Sequence, residues 1–292
     1  LKYRAHIRPL NIFLSLLILG ACAYIFYRIK IGLEYPWNWG EIPQYLFRYD
    51  SEKKHWYANL LMQGFFTTLR LSIWSMILAM IFGMVMGVCR TSQSLFNRLL
   101  GTSYVEMIRN LPPLVIVFIF YFFVSGQIMP LIGMEEYIQN QSPDAKALMG
   151  FLFAQPSYFP AFLSAVFSLA LFEGAYITEI VRAGIQSIEK EQWEASAALG
   201  FTRWEQMRHI ILPQAIQRIL PALAGQFIST IKDSSIVSVI SIQELTFQGM
   251  ELMAATYLTF EIWITVTGLY LILTLFCSIV LKRLELHMRR NS

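Results

Sequence analysis

An all-α integral membrane chain with six transmembrane helices is the expectation that three features of these 292 residues impose. Composition comes first. Hydrophobic residues make up 56%, aromatics 15% and charged residues only 14%, with a mean hydropathy of +0.50, which is too apolar to cover a water-soluble globule of this length. Segmentation is the second feature. A bilayer core takes about 20 predominantly apolar residues per helix, and six runs qualify, at 10–28, 65–89, 104–128, 158–183, 207–232 and 258–281. The third is the placement of charge. The net charge is +4, but Lys and Arg stand at the ends of apolar runs and form no stripe, a pattern that belongs to membrane topology and not to nucleic-acid binding.

The first run has no small-residue cleavage site after it and is followed by Arg28 and Lys30, so it reads as a retained anchor and not a removed signal. In the second, Ala79, Gly83 and Gly87 recur at i, i+4 and i+8, a smooth stripe that suits close helix packing within the chain or against a second subunit. Pro112 and Pro113 follow the first turn of the third run, and Pro221 interrupts the fifth. Both free backbone carbonyls, which is tolerated where protein or water, and not lipid, meets the backbone. Cys22, Cys89 and Cys277 all lie inside apolar runs and read as core residues, without disulfide or metal-ligand spacing.

Topology follows from the positive-inside rule. Loop 90–103 carries Arg90 and Arg98 and no acid, and the tail carries Lys282, Arg283, Arg289 and Arg290, so both are expected inside, with both termini cytoplasmic. The acidic segments 129–157 and 233–257 fall outside. Arg28, Lys30, Lys53 and Lys54 run against this assignment, although Glu34, Glu41, Asp50 and Glu52 dilute them.

One polar interruption then lies in the cytoplasm, residues 184–206, overlapping the stretch KEQWEASAALGFTRWEQMRHIILPQ at 190–214. Glu189, Glu191 and Glu194 crowd the first turns after Ser187, where carboxylates favour a helix start. Gly200 is a natural stop. Thr202 and Glu205 have capping-box spacing, which starts a second helix leading into the fifth run. Two helices at an angle make a knob carrying Trp193 and Trp204. From the residues alone it is either a docking element or an interfacial helix with belt tryptophans.

Glu194-Ala195-Ser196, then Gly200, nine residues and Ile210-Ile211-Leu212-Pro213 closely resemble the pattern E-A-A-x-x-x-G, nine residues, I-x-L-P of bacterial ABC importer permease subunits, with Ser196 in place of alanine. GFFTTLRLSIWS (64–75), YVEMIRNLPPLV (104–115), GAYITEIVRAGIQSI (174–188), ILPQAIQRILPAL (211–223) and STIKDSSIVSVISIQEL (229–245) resemble, in order, the polar amino acid branch serving His, Arg, Gln and Glu. RNLPPLVIVF stands where RGTPLLVQLF is usual, so a polar position in the third run has become apolar.

The resemblance implies a five-helix type I permease core over 60–285, with an outer insert at 129–157 and a coupling loop at 184–206. An extra N-terminal helix and outer loop occupy 1–59, and a cytoplasmic tail 286–292. It implies a coupling helix in which Trp193, Glu194, Ala195, Ser196, Leu199, Gly200 and Trp204 dock on, or support docking to, a cytoplasmic ATPase dimer. ATP and Mg would sit on that partner. This chain has no G-x-x-x-x-G-K-[ST] phosphate loop and is expected to bind no cofactor and to be no enzyme itself. The other implied partners are a second permease subunit, identical or related, a periplasmic or tethered amino acid-binding protein, the amino acid and the bilayer of a bacterial inner membrane.

An ionisable group in hydrocarbon costs at least a few kcal/mol and is a functional candidate by default. Glu173, mid-way along the fourth run, with Tyr176 a turn away, is a candidate for the substrate ammonium or a basic side chain; a hydrogen-bonded structural carboxylate is the plainer alternative. Gln226, Ser229, Lys232 and Asp233 cluster in the fifth run, either on the substrate path or fixing the following turn. Glu179 with Arg182, and Glu106 with Arg109, have the i, i+3 spacing of intrahelical ion pairs, and Arg70 is placed to snorkel. An ion-coupled secondary transporter and a membrane enzyme are the rival readings. No internal repeat favours the first, and His6, His55, His209 and His287 are too dispersed for the second.

Overall fold

The computed structural model describes residues 9–32, 35–52 and 54–290. Residues 1–8, Glu34, Lys53, the last two residues of the tail and the side chains of Lys30, Arg289 and Arg290, which entered the topology reading, lie outside the described residues. The chain forms two compact units, Leu1–Trp39 and Gly40–Ser292. In the first, α1 (Pro9–Gly32) exposes Leu, Ile, Phe and Tyr side chains such as Phe13, Leu17 and Tyr24, as an apolar helix with no packing partner among the described residues of its own unit does. Its apolar stretch is the shorter Ile12–Ile25.

The second unit begins with α2 (Ile42–Leu46) and an antiparallel hairpin, β1 (Phe47–Asp50) and β2 (His55–Ala58). The helices α3 (Leu60–Thr91), α4 (Leu95–Arg109) and α5 (Pro113–Phe120) follow, and α5 runs through a π-helical stretch, Tyr121–Ile128, into α6 (Met129–Leu131). Two short helices, α7 (Met134–Gln139) and α8 (Pro143–Leu152), precede the long α9 (Phe159–Gln186). Then come α10 (Lys190–Ala198), α11 (Arg203–Gln206), a π-helical turn at Met207–Ile211, α12 (Leu212–Asp233), a 3-10 segment at Ser234–Ile240, α13 (Leu245–Thr256) and α14 (Thr259–Arg290).

Among the described residues, four helical stretches are long and apolar enough to cross a membrane: Leu60–Thr91, Pro113–Leu131, Pro156–Gln186 and Thr259–Leu284. The third sequence run is corrected in its start. It was expected at 104, whereas Asn110 ends α4, Pro112 takes the N-cap of α5 and Pro113 its first turn. Proline lacks an amide hydrogen and pushes its predecessor out of the α region, so the pair ends one helix and opens the next. Residues 95–109, expected largely as loop, are therefore an amphipathic helix. The run 207–232 is helical, but Gln214, Gln217, Arg218, Gln226 and Lys232 break its apolarity, and its buried face turns toward α9.

The centre of the unit is α9, buried along most of its length and packed most extensively against α3. The small-residue stripe makes that approach possible. A Cβ added at Gly83 would lie 2.4 Å from Ile177 Cγ2, and one at Gly87 2.5 Å from Val181 Cγ1. Both distances are shorter than atoms allow, so the stripe serves packing within the chain. Gly184 does the same between α9 and α12, with Ile219 Cγ1 at 2.2 Å from its Cβ position. Two buried hydroxyls are satisfied locally: Ser72 and Thr178 each donate at 2.7 Å to the carbonyl four residues back.

Two readings from sequence change here. Arg70 does not snorkel: its guanidinium donates to the carbonyls of Gly150 and Phe151 and to Thr67 Oγ1, and so ties α3 to the last turn of α8. Trp74 reinforces this, donating to the Leu152 carbonyl at 2.9 Å and stacking on Phe153 at 4.6 Å. Of the cysteines, Cys277 is buried, Cys89 half-buried and Cys22 exposed, because an apolar position on a membrane helix can face lipid and need not be packed in protein.

Candidate substrate cavity and α10–α11 knob

A cavity of about 550 Å³ opens among α5, α9, α12 and the 3-10 segment. Its apolar walls are Pro113 and Val117 from α5 and Leu169 and Phe172 from α9, with Ile236 beyond α12. Its polar groups are Tyr176, Gln226, Ser229, Asp233 and Ser235. On α12, Gln226, Ser229 and Asp233 recur at helical spacing and so share one face. On α9, Phe172 and Tyr176 are one turn apart, with their rings edge to face at 5.2 Å. The Pro112–Pro113 break sets the start of α5 at the cavity wall.

Glu173 lies fully buried beside this space. Gln226 Nε2 donates to its Oε2, while Oε1 has no hydrogen-bond partner among the described residues. Asp233, on the same face of α12 as Gln226, lines the same cavity. A carboxyl group held by a single amide, beside a cavity that a second acid lines, is suited to receive a cationic group. Lys232 is exposed and is not part of the lining. Five of the six sequence candidates are thus brought together and one is not, because adjacent residues on a helix face different ways.

Sequence reading missed Pro113, Val117, Phe172 and Ser235. Phe172 was available as the residue one turn before Tyr176, and Ser235 as the continuation of the KDSS run. The position where a polar residue has become apolar is Ile116, which is buried against Ala175 and Ile108 and does not line the cavity. Arg109 was expected to pair with Glu106. Instead Asn110 Nδ2 donates to Glu106 at 3.2 Å, and the Arg109 guanidinium lies over the Tyr176 ring. Glu179 and Arg182 do pair, at 2.8 Å, and Arg90 of α3 joins them as a second cation.

Residues 184–206 fold as two helices about a glycine corner. Gly200 has φ +84°, and its amide donates to the Ala197 carbonyl at 3.0 Å while that of Phe201 donates to Ser196 at 3.2 Å, the paired bonds of a Schellman stop. Thr202 then caps α11. Its Oγ1 accepts from the Glu205 amide, and Glu205 Oε2 accepts from the Thr202 amide at 2.8 Å and its hydroxyl at 2.7 Å. The hydroxyl first, then the amide, hold the Glu205 carboxyl below the ordinary carboxylate range.

The knob has two faces. Ser196 is buried and donates to the Trp193 carbonyl at 2.9 Å; Trp193 packs on the body of the unit, under the Arg203 guanidinium at 5.4 Å. Glu194, Ala195, Leu199, Gly200 and Trp204 are exposed, Leu199 and Trp204 at 76% and 68%. Glu194 holds Lys190 at 2.9 Å. Large apolar side chains this open on a rigid corner leave a surface suited to a partner.

Comparison with known proteins follows the same lines. Residues 79–290 match the family described as binding-protein-dependent transport system inner membrane component. The chain is 33% identical over 233 residues to a probable glutamine ABC transporter permease protein of Bacillus subtilis, covering 80% of this chain and 95% of that protein. It is 35% identical over 230 residues to the glutamine transport system permease protein of Escherichia coli K12, covering 79% and 93%. A chain in the crystal structure of an amino acid ABC transporter with histidines superposes with a TM-score of 0.61 at 33% identity, covering 78% of this chain and 94% of its own. A chain of the inward-facing MetNI methionine ABC transporter shares the fold, with a TM-score of 0.56 at 19% identity and coverage of 77% and 94%. The protein belongs to the binding-protein-dependent transport system inner membrane component family, the membrane-spanning permeases of ABC importers.

Proposed function

We propose that this chain is the permease subunit through which an ATP-driven, binding-protein-dependent importer moves a polar amino acid across a bacterial inner membrane. The single observation that carries the substrate reading is the cavity, which gathers Tyr176, Gln226, Ser229 and Asp233 against an aromatic wall with Glu173 behind Gln226. Glu173 and Asp233 would receive the substrate ammonium, and Gln226 and Ser229 its polar groups. No Lys or Arg is among the lining residues, which disfavours an acidic side chain there and agrees with the glutamine permeases among the relatives.

The exposed face of the α10–α11 knob is the proposed coupling site for a cytoplasmic ATPase dimer, which would bind ATP and Mg. Glu194, Ala195, Leu199, Gly200 and Trp204 would meet the partner, and Trp193 and Ser196 would support them from below. A second permease subunit, identical or related, would complete the core, and a tethered or periplasmic binding protein would deliver substrate. Six spans with both termini cytoplasmic, the divisions 1–59, 60–285 and 286–292, and a substrate path that includes Lys232 beyond the cavity complete the proposal. Closure of the ATPase dimer would draw the knobs together and shift the cavity between inward and outward access, which requires contacts that differ between the two states. Ion coupling has no support in a family defined by dependence on a binding protein.

Purification with the partner subunits and binding protein, followed by ATP-dependent uptake into proteoliposomes across glutamine, glutamate, histidine and arginine, tests the reading. Glutamine or a basic amino acid should be taken up, and both Glu173→Gln and Asp233→Asn should abolish uptake while the complex still assembles. Uptake that persists without ATP, or that is unchanged in both variants, overturns it.

A further inference from the structure

We propose that the β1–β2 hairpin is a membrane-interface anchor, with its aromatic face lying in the lipid headgroup layer at the end of the bilayer where α3 begins. The pairing register sorts the side chains. Phe47 faces Ala58 and Tyr49 faces Trp56, while Arg48 faces Tyr57 and Asp50 faces His55. Directly paired residues of antiparallel strands point to the same side, and successive residues to opposite sides. One face is therefore Phe47, Tyr49, Trp56 and Ala58, and the other carries Arg48, Asp50, His55 and Tyr57.

The apolar face is not covered by the rest of its unit. Phe47 and Tyr49 are each 47% exposed and Trp56 67%, although the Tyr49 and Trp56 rings pack on each other at 5.4 Å. A two-stranded hairpin is marginal in water without a surface to pack on. What it packs on is fixed by chain continuity. Trp56 lies four residues before Leu60, the first residue of a helix long and apolar enough to span a bilayer, and the Asn59 amide donates to the Leu46 carbonyl at 2.9 Å, closing the base of the hairpin against that helix start. With 32 residues, α3 is on the order of 48 Å long against a hydrocarbon core of about 30 Å, so its ends stand in the interfacial layers. Tyr and Trp, with an apolar ring and one polar group, are the side chains that partition into that layer. Arg48, on the opposite face, remains free to lie toward water or lipid phosphate.

The test places single nitroxide-labelled cysteines at 47, 49 and 56, and at 48, 50 and 55, in the full chain with Cys22, Cys89 and Cys277 replaced by serine. The protein is reconstituted in vesicles of phosphatidylcholine and phosphatidylglycerol. Collision with oxygen should dominate at 47, 49 and 56, and collision with a water-soluble nickel chelate at 48, 50 and 55. Equal nickel access on both faces overturns the proposal. So does shielding of the aromatic face that appears only on addition of the binding protein, or label-to-label broadening that identifies a second copy as its cover. Because labels can unfold a small hairpin, the unlabelled chain is also compared with Trp56→Phe. Phosphatidylcholine brominated near the headgroup end of its chains should quench the fluorescence contributed by Trp56 more than acrylamide does, and the reverse order overturns the proposal.

Discussion

The guanidinium of Arg109 lies over the ring of Tyr176, 5.1 Å from its centroid, and so joins the last turn of α4 to the wall of the cavity. The backbone breaks immediately after Arg109, at Asn110–Pro112, and resumes in α5 with the cavity residue Pro113. A contact between a cation and a ring at an exposed site is worth about 0.5–1 kcal/mol. Tyr176→Phe keeps the ring face and should transport at close to the native rate. Tyr176→Leu and Arg109→Gln should each slow uptake by about two- to five-fold, the equivalent of that energy, and the double variant should be no slower than either. Additive losses in the uptake assay would show that the two side chains act separately.

Glu173 and Gln226 make a second test, one of stability. Gln226→Leu removes the amide that donates to Oε2 of the buried Glu173 carboxyl, and a buried polar group left unpaired costs about 1–3 kcal/mol. The thermal midpoint in detergent should fall. Replacing both residues with leucine removes donor and acceptor together and should recover most of that loss, since paired apolar replacements are close to neutral. Uptake should remain lost in both variants. A double variant less stable than Gln226→Leu would mean that the carboxyl has another partner.

The sequence made the membrane class, the small-residue stripe and the glycine corner legible because each rests on local chemistry. Apolarity, missing Cβ atoms at Gly83 and Gly87, and the Thr202–Glu205 spacing keep their meaning whatever the tertiary context. Tyr176, Gln226, Ser229 and Asp233 could be picked out because polar groups are scarce in apolar runs. Arg109, Arg90 and Arg70 could not be placed, since their partners lie on other elements and side-chain reach across a fold leaves no local pattern. Hydrophobicity alone also hid the break at Pro112, where two helices of different character abut without a polar loop.

The close approach of α3 and α9 gives a packing prediction. A Cβ at Gly83 or Gly87 would overlap Ile177 or Val181, so Gly83→Ala and Gly87→Ala must push the helices apart or force those side chains off their rotamers. Overpacking of this kind costs about 1–3 kcal/mol. Each variant should lower the thermal midpoint, and pairing Gly83→Ala with Ile177→Ala should restore part of it. Gly225 and Gly268, whose Cβ positions meet nothing within 4 Å, are the controls and should tolerate alanine. Equal effects at all four positions would show that helix flexibility, and not packing, is being measured.

The capping box of the knob should respond to acid in a defined direction. The Thr202 hydroxyl and amide hold the Glu205 carboxyl below its ordinary value of 4.5, which makes its folded-state pKa lower than its unfolded one. The order it confers is therefore complete above the ordinary carboxylate range and is lost as pH falls through the folded value. The amides of Glu205 and Gln206, which donate to the Thr202 hydroxyl and carbonyl, should stay protected from hydrogen exchange through neutral and mildly acidic pH and lose protection only below it. Glu205→Gln keeps an acceptor for the Thr202 amide without a titrating group, so at matched pH its protection should not show the acid loss. Thr202→Ala removes the cap at every pH, at about 1 kcal/mol, and should speed exchange at the Glu205 amide on the order of five-fold. Since the left-handed Gly200 turn feeds directly into this cap, Gly200→Leu should also loosen 203–206, through a backbone strain of about 1–2 kcal/mol that no pH relieves. Acid loss of equal size in Glu205→Gln and the native chain would place the titrating group elsewhere.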